Sequence, residues 1–144
     1  MNVEEAKEVC RDRDKPLPNP QGIWREDIYD QAILVDKTLY VSGVLGLDAQ
    51  AVLVSGGAAA QTKQVLDNLK HVLTAGGASL ESVVKTTILL QDMNDFQAVN
   101  KVYSEYFTKN CPARATYQVA KLPMNAAVEI EAIALSGDLV VNTK

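Results

Sequence analysis

Two helices are predicted from stripes of apolar residues that recur at intervals of three and four positions. The first helix is expected over residues 57–75 and ends at Gly76-Gly77; the second is expected over residues 95–109, with Asn94 and Asp95 as candidate N-caps. The first stripe contains Val65, Leu66, Leu69, Val72 and Leu73, and the second contains Phe96, Val99, Val102, Tyr103, Tyr106 and Phe107. Stripes of this kind are typical of helix faces that pack against a core.

Runs of β-branched and apolar residues predict five strands. Residues 32–35 and 38–42, separated by Asp36-Lys37, have the pattern of a β-hairpin. The glycines in residues 43–47 indicate that the second strand continues into a bulge or a close backbone approach. The remaining strands are expected at 83–90, 112–120 and 126–135. The order β-β-α-β-α-β-β predicts an α+β domain, a single sheet with two helices on one face.

The first 27 residues have a different pattern. Pro16, Pro18 and Pro20 exclude regular secondary structure around them. We therefore divide the chain into an irregular arm, residues 1–27, which carries Trp24, and a domain over residues 28–144.

Composition narrows the possible functions. The chain has 144 residues, 47% of them hydrophobic, and a formal net charge of −4. That charge disfavours a protein that coats nucleic acid. We find no apolar run of the roughly 20 residues that a membrane span needs, and no basic leader, so we expect a soluble, intracellular protein.

Few residues are available for metal or histidine chemistry. His71 is the single histidine, and Cys10 and Cys111 are the two cysteines, so a zinc site with about four closely spaced ligands is excluded. His71 falls on the predicted solvent face of the first helix, so we expect no catalytic role for it. Neither a P-loop nor a dinucleotide fingerprint is present, and we expect no cofactor.

The last predicted strand places two glutamates on one face. Glu129 and Glu131 alternate with apolar residues, and burying carboxylates without partners is costly. Arg114 begins the preceding strand and would lie near Glu129 if the two strands paired across the loop 121–125. One interpretation is an Arg114–Glu129 ion pair that holds the sheet or subunits together. The other is a site in which the guanidinium grips a carboxylate and the glutamate orients a water molecule.

Several motifs at these positions resemble the RidA family, also called YjgF. They are Val41-Ser42-Gly43, Val84-Lys85-Thr86-Thr87, Asp92-Met93-Asn94-Asp95-Phe96, Val99-Asn100, Pro112-Ala113-Arg114, Val119-Ala120-Lys121-Leu122-Pro123 and Val128-Glu129-Ile130-Glu131-Ala132. The resemblance extends from about Tyr29 to Leu135. It implies a chorismate-mutase-like fold assembled as a homotrimer, with clefts between subunits. We expect the protein in the cytoplasm, with mitochondria and the nucleus as alternative compartments.

The resemblance also implies a reaction, the hydrolysis of 2-imino acids or their enamine tautomers to 2-oxo acids and ammonia. Arg114 matches the arginine that holds the substrate carboxylate, and Glu129 matches the glutamate that positions the attacking water. The implied substrate-binding positions are Tyr29, Ser42, Gly43, Phe96, Asn100 and Thr116. A protonated imine is a strong electrophile, so neither a metal nor a covalent nucleophile is required, and a positioned carboxylate can move the protons.

The chain departs from the family pattern before Tyr29, where Arg25-Glu26-Asp27-Ile28 replaces the usual approach to the cleft. Two other functions are therefore considered. One is a trimer that binds small acids without turnover, and the other is a translation inhibitor with ribonuclease activity. The acidic composition makes binding to nucleic acid the poorer expectation.

Overall fold

The computed structural model describes residues 30–139, so Tyr29 and the predicted arm, residues 1–27, lie outside the described residues. The strands are β1 (Ala32–Val35), β2 (Thr38–Leu45), β3 (Val83–Leu90), β4 (Ala113–Gln118) and β5 (Val128–Leu135). The helices are α1 (Gly57–Ala75) and α2 (Phe96–Tyr106), and short 3-10 turns cover Leu80–Ser82, Met93–Asp95 and Pro123–Asn125. Five strands and two helices confirm the predicted element order.

The five strands form one mixed sheet in the order β1-β2-β5-β3-β4. Strand β5 pairs antiparallel with both β2 and β3, while β4 runs parallel to β3 at the sheet edge. The parallel pair is connected through α2, the usual way to bring a strand back in the same direction. Strands β4 and β5 do not pair, which corrects the arrangement that would have brought Arg114 next to Glu129.

One face of the sheet carries both helices and the main core. Along β5, burial alternates, with Val128, Ile130, Ala132 and Ala134 buried and the residues between them more exposed. The buried set packs with the apolar residues of α1 and α2 in a single cluster. The opposite face, called the open face below, carries Glu129, Glu131 and Ile133.

A β-bulge interrupts the pairing of β2 with β5. Val41 pairs with Ala132 and Val44 pairs with Ile130, so Ser42 and Gly43 together oppose Glu131. Two residues against one is the arrangement of a bulge, which bends a strand and redirects its side chains. The bulge predicted at the glycines of this segment is confirmed.

Helix α2 is shorter than predicted. It begins at Phe96, after the turn Met93–Asp95, and ends at Tyr106 rather than at residue 109. Asp92 is the residue that caps the turn, because its side chain accepts the backbone N–H of Asn94 at 2.8 Å, whereas Asp95 makes no side-chain cap. The prediction that Asp95 is the N-cap residue of this helix is confirmed in position, although its side chain makes no cap hydrogen bond, and Asn94 lies within the preceding turn instead.

Candidate active site

Arg114 lies on the helix side of edge strand β4. Its Cα pairs with that of Thr86, a fully buried residue that contacts α2 through the Tyr103 hydroxyl. The Arg114 Nη1 donates a hydrogen bond to the Asn100 Oδ1 at 2.8 Å. The guanidinium carbon also lies 5.0 Å from the Tyr103 ring centroid and 5.8 Å from that of Phe96.

These contacts come from a single stripe of α2. Phe96, Asn100 and Tyr103 are spaced four and three residues apart, so they share one helix face. Arg114 itself is exposed, and a guanidinium has five N–H donors in a planar fork. Since Asn100 takes one of them, the arrangement presents a positioned cation with donors left over for a carboxylate.

Thr116 follows Arg114 on the same side of β4 and pairs with Ile88 of β3. Its hydroxyl oxygen is buried and has no hydrogen-bond partner within residues 30–139. A buried hydroxyl without a partner is rare in a folded protein. The unpaired Thr116 hydroxyl thus lies on the same side of β4 as Arg114, two residues further along the strand.

Glu129 lies on the open face, between Leu45 of β2 and Leu89 of β3 in the strand register. Both leucines belong to a small apolar cluster centred on Leu45, Leu122 and Ala126. Burial in these surroundings raises the pKa of the Glu129 carboxyl, and the negative charge of Glu131 raises it further. Glu129 is therefore a better proton acceptor than an ordinary surface glutamate.

The bulge in β2 makes room for the Glu129 side chain. A Cβ at Gly43 would overlap the Glu129 carboxylate, because the carboxylate carbon lies only 2.8 Å from that position. Ser42 serves a different purpose, since its hydroxyl donates to the Asp30 carbonyl oxygen at 2.6 Å and its N–H donates to the Gln31 carbonyl. The bulge thus leaves space for the Glu129 side chain, and its Ser42 holds the backbone at Asp30 and Gln31.

The predicted site residues fall into two groups within one chain. Phe96, Asn100, Arg114 and Thr116 lie on the helix side, whereas Ser42, Gly43 and Glu129 lie at the open face. Arg114 and Glu129 are separated by two strand spacings and three residues along the strands, about 14 Å between Cα atoms. An Arg114–Glu129 ion pair within one sheet is therefore excluded, whereas an ion pair between subunits stays a prediction.

Two residues that contact the site, Tyr103 and Thr86, were not predicted from the sequence as part of it. Tyr103 fits a core stripe, and it is buried, yet its ring also lies against the Arg114 guanidinium. Thr86 was noted only as part of a motif, and its hydroxyl is 2.8 Å from the Tyr103 hydroxyl. An arginine on a strand that follows an aromatic-rich helix is the only signal that could have indicated this contact.

The described part of the chain has neither a metal-binding cluster nor a membrane-spanning helix. Residues 30–139 contain no group of three His, Cys, Asp or Glu side chains that could hold a metal ion. His71 is exposed on α1, as predicted. No helix among these residues is long and apolar enough to cross a membrane.

Comparison with known proteins places this architecture in a family. The family model described as endoribonuclease L-PSP matches residues 23–136. The human protein named 2-iminobutanoate/2-iminopropanoate deaminase is 53% identical over 112 residues, which cover 77% of this chain and 82% of that protein.

Solved structures agree with the sequence match. A Thermotoga maritima protein solved as a candidate endoribonuclease has a TM-score of 0.77 and 42% identity, covering 86% of this chain and 96% of that one. E. coli TdcF, solved with bound serine, has a TM-score of 0.71 and 31% identity, covering 76% and 88%. The chain therefore belongs to the endoribonuclease L-PSP family, which is the RidA/YjgF family.

Proposed function

We propose that this protein is a 2-iminobutanoate/2-iminopropanoate deaminase, an enzyme that hydrolyses 2-imino acids and their enamine tautomers to 2-oxo acids and ammonia. The observation that carries the proposal is the 53% identity to the human deaminase over 112 residues. Such imines are reactive, so their removal protects the cell from metabolite damage, and we expect the protein to act in the cytoplasm.

Arg114 binds the substrate carboxylate in this proposal. Its guanidinium is exposed, fixed by Asn100 and backed by two aromatic rings, and its planar fork suits bidentate binding. The serine bound to E. coli TdcF carries the same α-carboxylate next to a nitrogen-bearing carbon. Holding the carboxylate fixes the position of the imine carbon relative to the attacking water, and positioning of this kind supplies a large part of many catalysed rates.

Glu129 acts on the water. Its carboxylate accepts a proton as water adds to the carbon of the C=N bond, and the product is a carbinolamine. The Glu129 carboxyl then gives this proton to the nitrogen, the C–N bond breaks and ammonia leaves. As the C=O bond forms, the hydroxyl group of the carbinolamine loses its O–H proton to the same carboxylate. A carboxyl with a raised pKa suits both transfers because it takes up a proton more readily than an ordinary glutamate and can return it in the next step.

The site is completed between copies of the chain. Arg114 and Glu129 lie on opposite sides of one sheet, so one substrate can meet both only if they come from different subunits. The open face has apolar side chains available for an interface, among them Tyr40 at 50% and Tyr117 at 51% exposure. We assign the assembly as a homotrimer, in which each cleft takes Arg114 from one subunit and Glu129 from the next.

The remaining predicted residues form the walls of the cleft. Phe96 and Thr116 flank the Arg114 guanidinium, and Thr116 has a free hydroxyl for a ligand that reaches it. Gly43 leaves space for Glu129, and Ser42 holds the backbone of Asp30, the residue after Tyr29. Tyr29 keeps its proposed place in the cleft on the strength of the family resemblance.

The direct test is a trapping assay. A pyridoxal-phosphate threonine dehydratase generates 2-iminobutanoate, and semicarbazide captures what has not been hydrolysed. We expect the wild-type protein to suppress semicarbazone formation and Arg114→Ala to reduce kcat/KM by about a thousandfold, since both binding and positioning are lost. Lys101→Ala is the matched control, because it removes an exposed cation from α2 that is not part of the site.

Two results would redirect the assignment. Tight 2-oxo acid binding without turnover by the wild-type protein would make it a binding protein for small acids. Salt-sensitive cleavage of RNA that survives Arg114→Ala would instead favour a ribonuclease, the activity that the family description names.

A further inference from the structure

We infer that Tyr103 is a positioning residue for the deaminase, because its ring is the surface on which the Arg114 guanidinium rests and Thr86 fixes that ring in place. The inference rests on the proposed function, and it adds a residue that contacts neither the substrate nor the water. Part of the energy that binds the substrate carboxylate therefore depends on Tyr103, which the sequence pattern identifies only as a core residue.

The ring and the cation are close enough to interact directly. The guanidinium carbon is 5.0 Å from the Tyr103 centroid, nearer than the 5.8 Å to Phe96. A cation within about 6 Å of a ring face is attracted by the ring's quadrupole. Phe96 is only half-buried, whereas Tyr103 is 7% exposed, so Tyr103 is the more rigid of the two supports.

Three contacts fix the orientation of the Tyr103 ring. Its hydroxyl shares a buried hydrogen bond of 2.8 Å with the Thr86 hydroxyl, and its face stacks on Phe107 at 4.4 Å. Its backbone is held in α2. A side chain held at both ends and along one face has little freedom to turn, so it offers a fixed surface to the guanidinium.

The same contacts link the ring to the strand that carries the arginine. Thr86 is the register partner of Arg114 across the parallel β3–β4 pair. The Thr86–Tyr103 bond therefore joins β3 to α2 directly beneath the guanidinium, and the Asn100 hydrogen bond joins β4 to the same helix one turn earlier. Arg114 is positioned from the sheet and from the helix at once.

The chemistry of Tyr103 suits support rather than catalysis. Burial raises the pKa of its phenol, an effect that the Thr86 hydrogen bond and the Arg114 cation oppose. A neutral phenol presents its ring to the guanidinium without forming an ion pair that would compete with the substrate carboxylate. The cation thus keeps its affinity for the carboxylate while losing freedom of movement.

The test separates positioning from simple stabilisation. Tyr103→Leu removes the ring, and Tyr103→Phe keeps it while removing the hydroxyl. Combining Tyr103→Phe with Thr86→Val removes both hydroxyls, so no buried donor is left unpaired. Tyr106→Leu is the matched control, because it removes a ring from the same helix whose hydroxyl bonds to Asp67 and not to the site.

We expect Tyr103→Leu to raise KM about tenfold with a smaller change in kcat, since Arg114 holds the carboxylate both before and during the reaction. Tyr103→Phe and the double variant should restore KM to within about threefold of wild type. The dissociation constant for 2-oxobutanoate should follow KM in all variants. Tyr106→Leu should leave both values unchanged, even where it lowers the melting temperature.

An NMR signature gives a readout that does not depend on turnover. The Arg114 Nε–H resonance, assigned from its loss in Arg114→Lys, should carry a ring-current shift that disappears in Tyr103→Leu and persists in Tyr103→Phe. If Tyr103→Leu leaves both this resonance and KM unchanged, the inference is overturned. If the wild-type protein hydrolyses no imine but the resonance moves and 2-oxobutanoate binding weakens, the positioning role stands and the deaminase function fails.

Discussion

The two sides of the sheet hold the two charged residues of the proposed site by different means. On the helix side, Arg114 is fixed by contacts to α2, one hydrogen bond and two aromatic rings, and remains exposed. On the open face, Glu129 has no hydrogen bond or cation within residues 30–139. It is half-buried between leucines, and the charge that acts on its carboxyl is that of another carboxylate, Glu131.

The difference matches the two tasks. A residue that binds a carboxylate must keep its charge and its orientation, and contacts to neutral groups achieve both. A residue that moves protons needs a pKa closer to neutral, and partial burial without a counter-ion raises it. An ion pair between the two within one chain would have lowered the pKa of Glu129 and occupied Arg114. Placing them on opposite faces avoids this and leaves neither residue in an ion pair with the other.

Glu129→Gln is the substitution on the open face with the largest expected effect on activity. We expect kcat to fall about a hundredfold or more, the usual size of a lost general base, while 2-oxobutanoate binding stays close to wild type. Steady-state kinetics and calorimetric titration measure the two effects separately. Equal losses in binding and turnover would show that Glu129 contacts the ligand directly instead of acting on water.

Glu129→Gln should also change the pH dependence of the protein's stability. Because the pKa of Glu129 is raised in the folded state, the protonated form is favoured there, and its stabilising effect is lost as pH rises through that pKa. At neutral pH the buried charge therefore opposes folding. Glu129→Gln should be at least as stable as wild type at pH 7, and its advantage should disappear in acid. Thermal melts across pH measure this, and a less stable Glu129→Gln at pH 7 would contradict it.

Gly43→Ala should have the next largest effect. The added Cβ would occupy the place of the Glu129 carboxylate, so the side chain must move away. We expect kcat to fall about tenfold, because a displacement of about 1 Å at a reacting group is costly. In a Glu129→Gln background the same substitution should cost much less. Full additivity of the two losses would mean that Gly43 acts independently of Glu129.

Glu131→Gln should have the smallest effect. Its negative charge contributes to the raised pKa of Glu129, and removing that charge lowers this pKa. Activity requires the ionised Glu129, so the acid limb of the kcat/KM profile should move to lower pH while the rate at neutral pH changes little. Glu105→Gln, an exposed glutamate on α2, is the control and should leave the profile in place.

The sequence was sufficient for the helices and strands, whereas the site residues that it indicated stay predictions. Helix periodicity identified both helices, and the Gly43 bulge followed from glycines inside a strand pattern, because these signals are local. The pairing of β5 between β2 and β3 is not local. The short connection at 121–125 favoured a hairpin of the last two strands, but α2 had already returned β4 parallel to β3 at the edge.

Because β4 and β5 were expected to pair, Arg114 and Glu129 were expected to lie close together. The sequence pattern of a strand shows which of its residues share one face. It does not show which other strands lie beside it in the sheet. The role of Tyr103 was hidden for a related reason. A buried tyrosine in a core stripe looks the same in sequence whether its ring packs on leucine or supports an arginine from another element.

If each site combines Arg114 of one subunit with Glu129 of another, mixing two kinds of inactive subunit should restore activity. Arg114→Ala and Glu129→Gln chains, each almost inactive alone, are unfolded together, refolded at equal ratio and assayed by the semicarbazide trap. In a ring of three, random assembly should give intact sites at about a quarter of the interfaces, and a corresponding share of wild-type activity. Well-folded mixed assemblies that stay as inactive as their parents would contradict the claim and place both residues in one subunit's site, or one of them outside it.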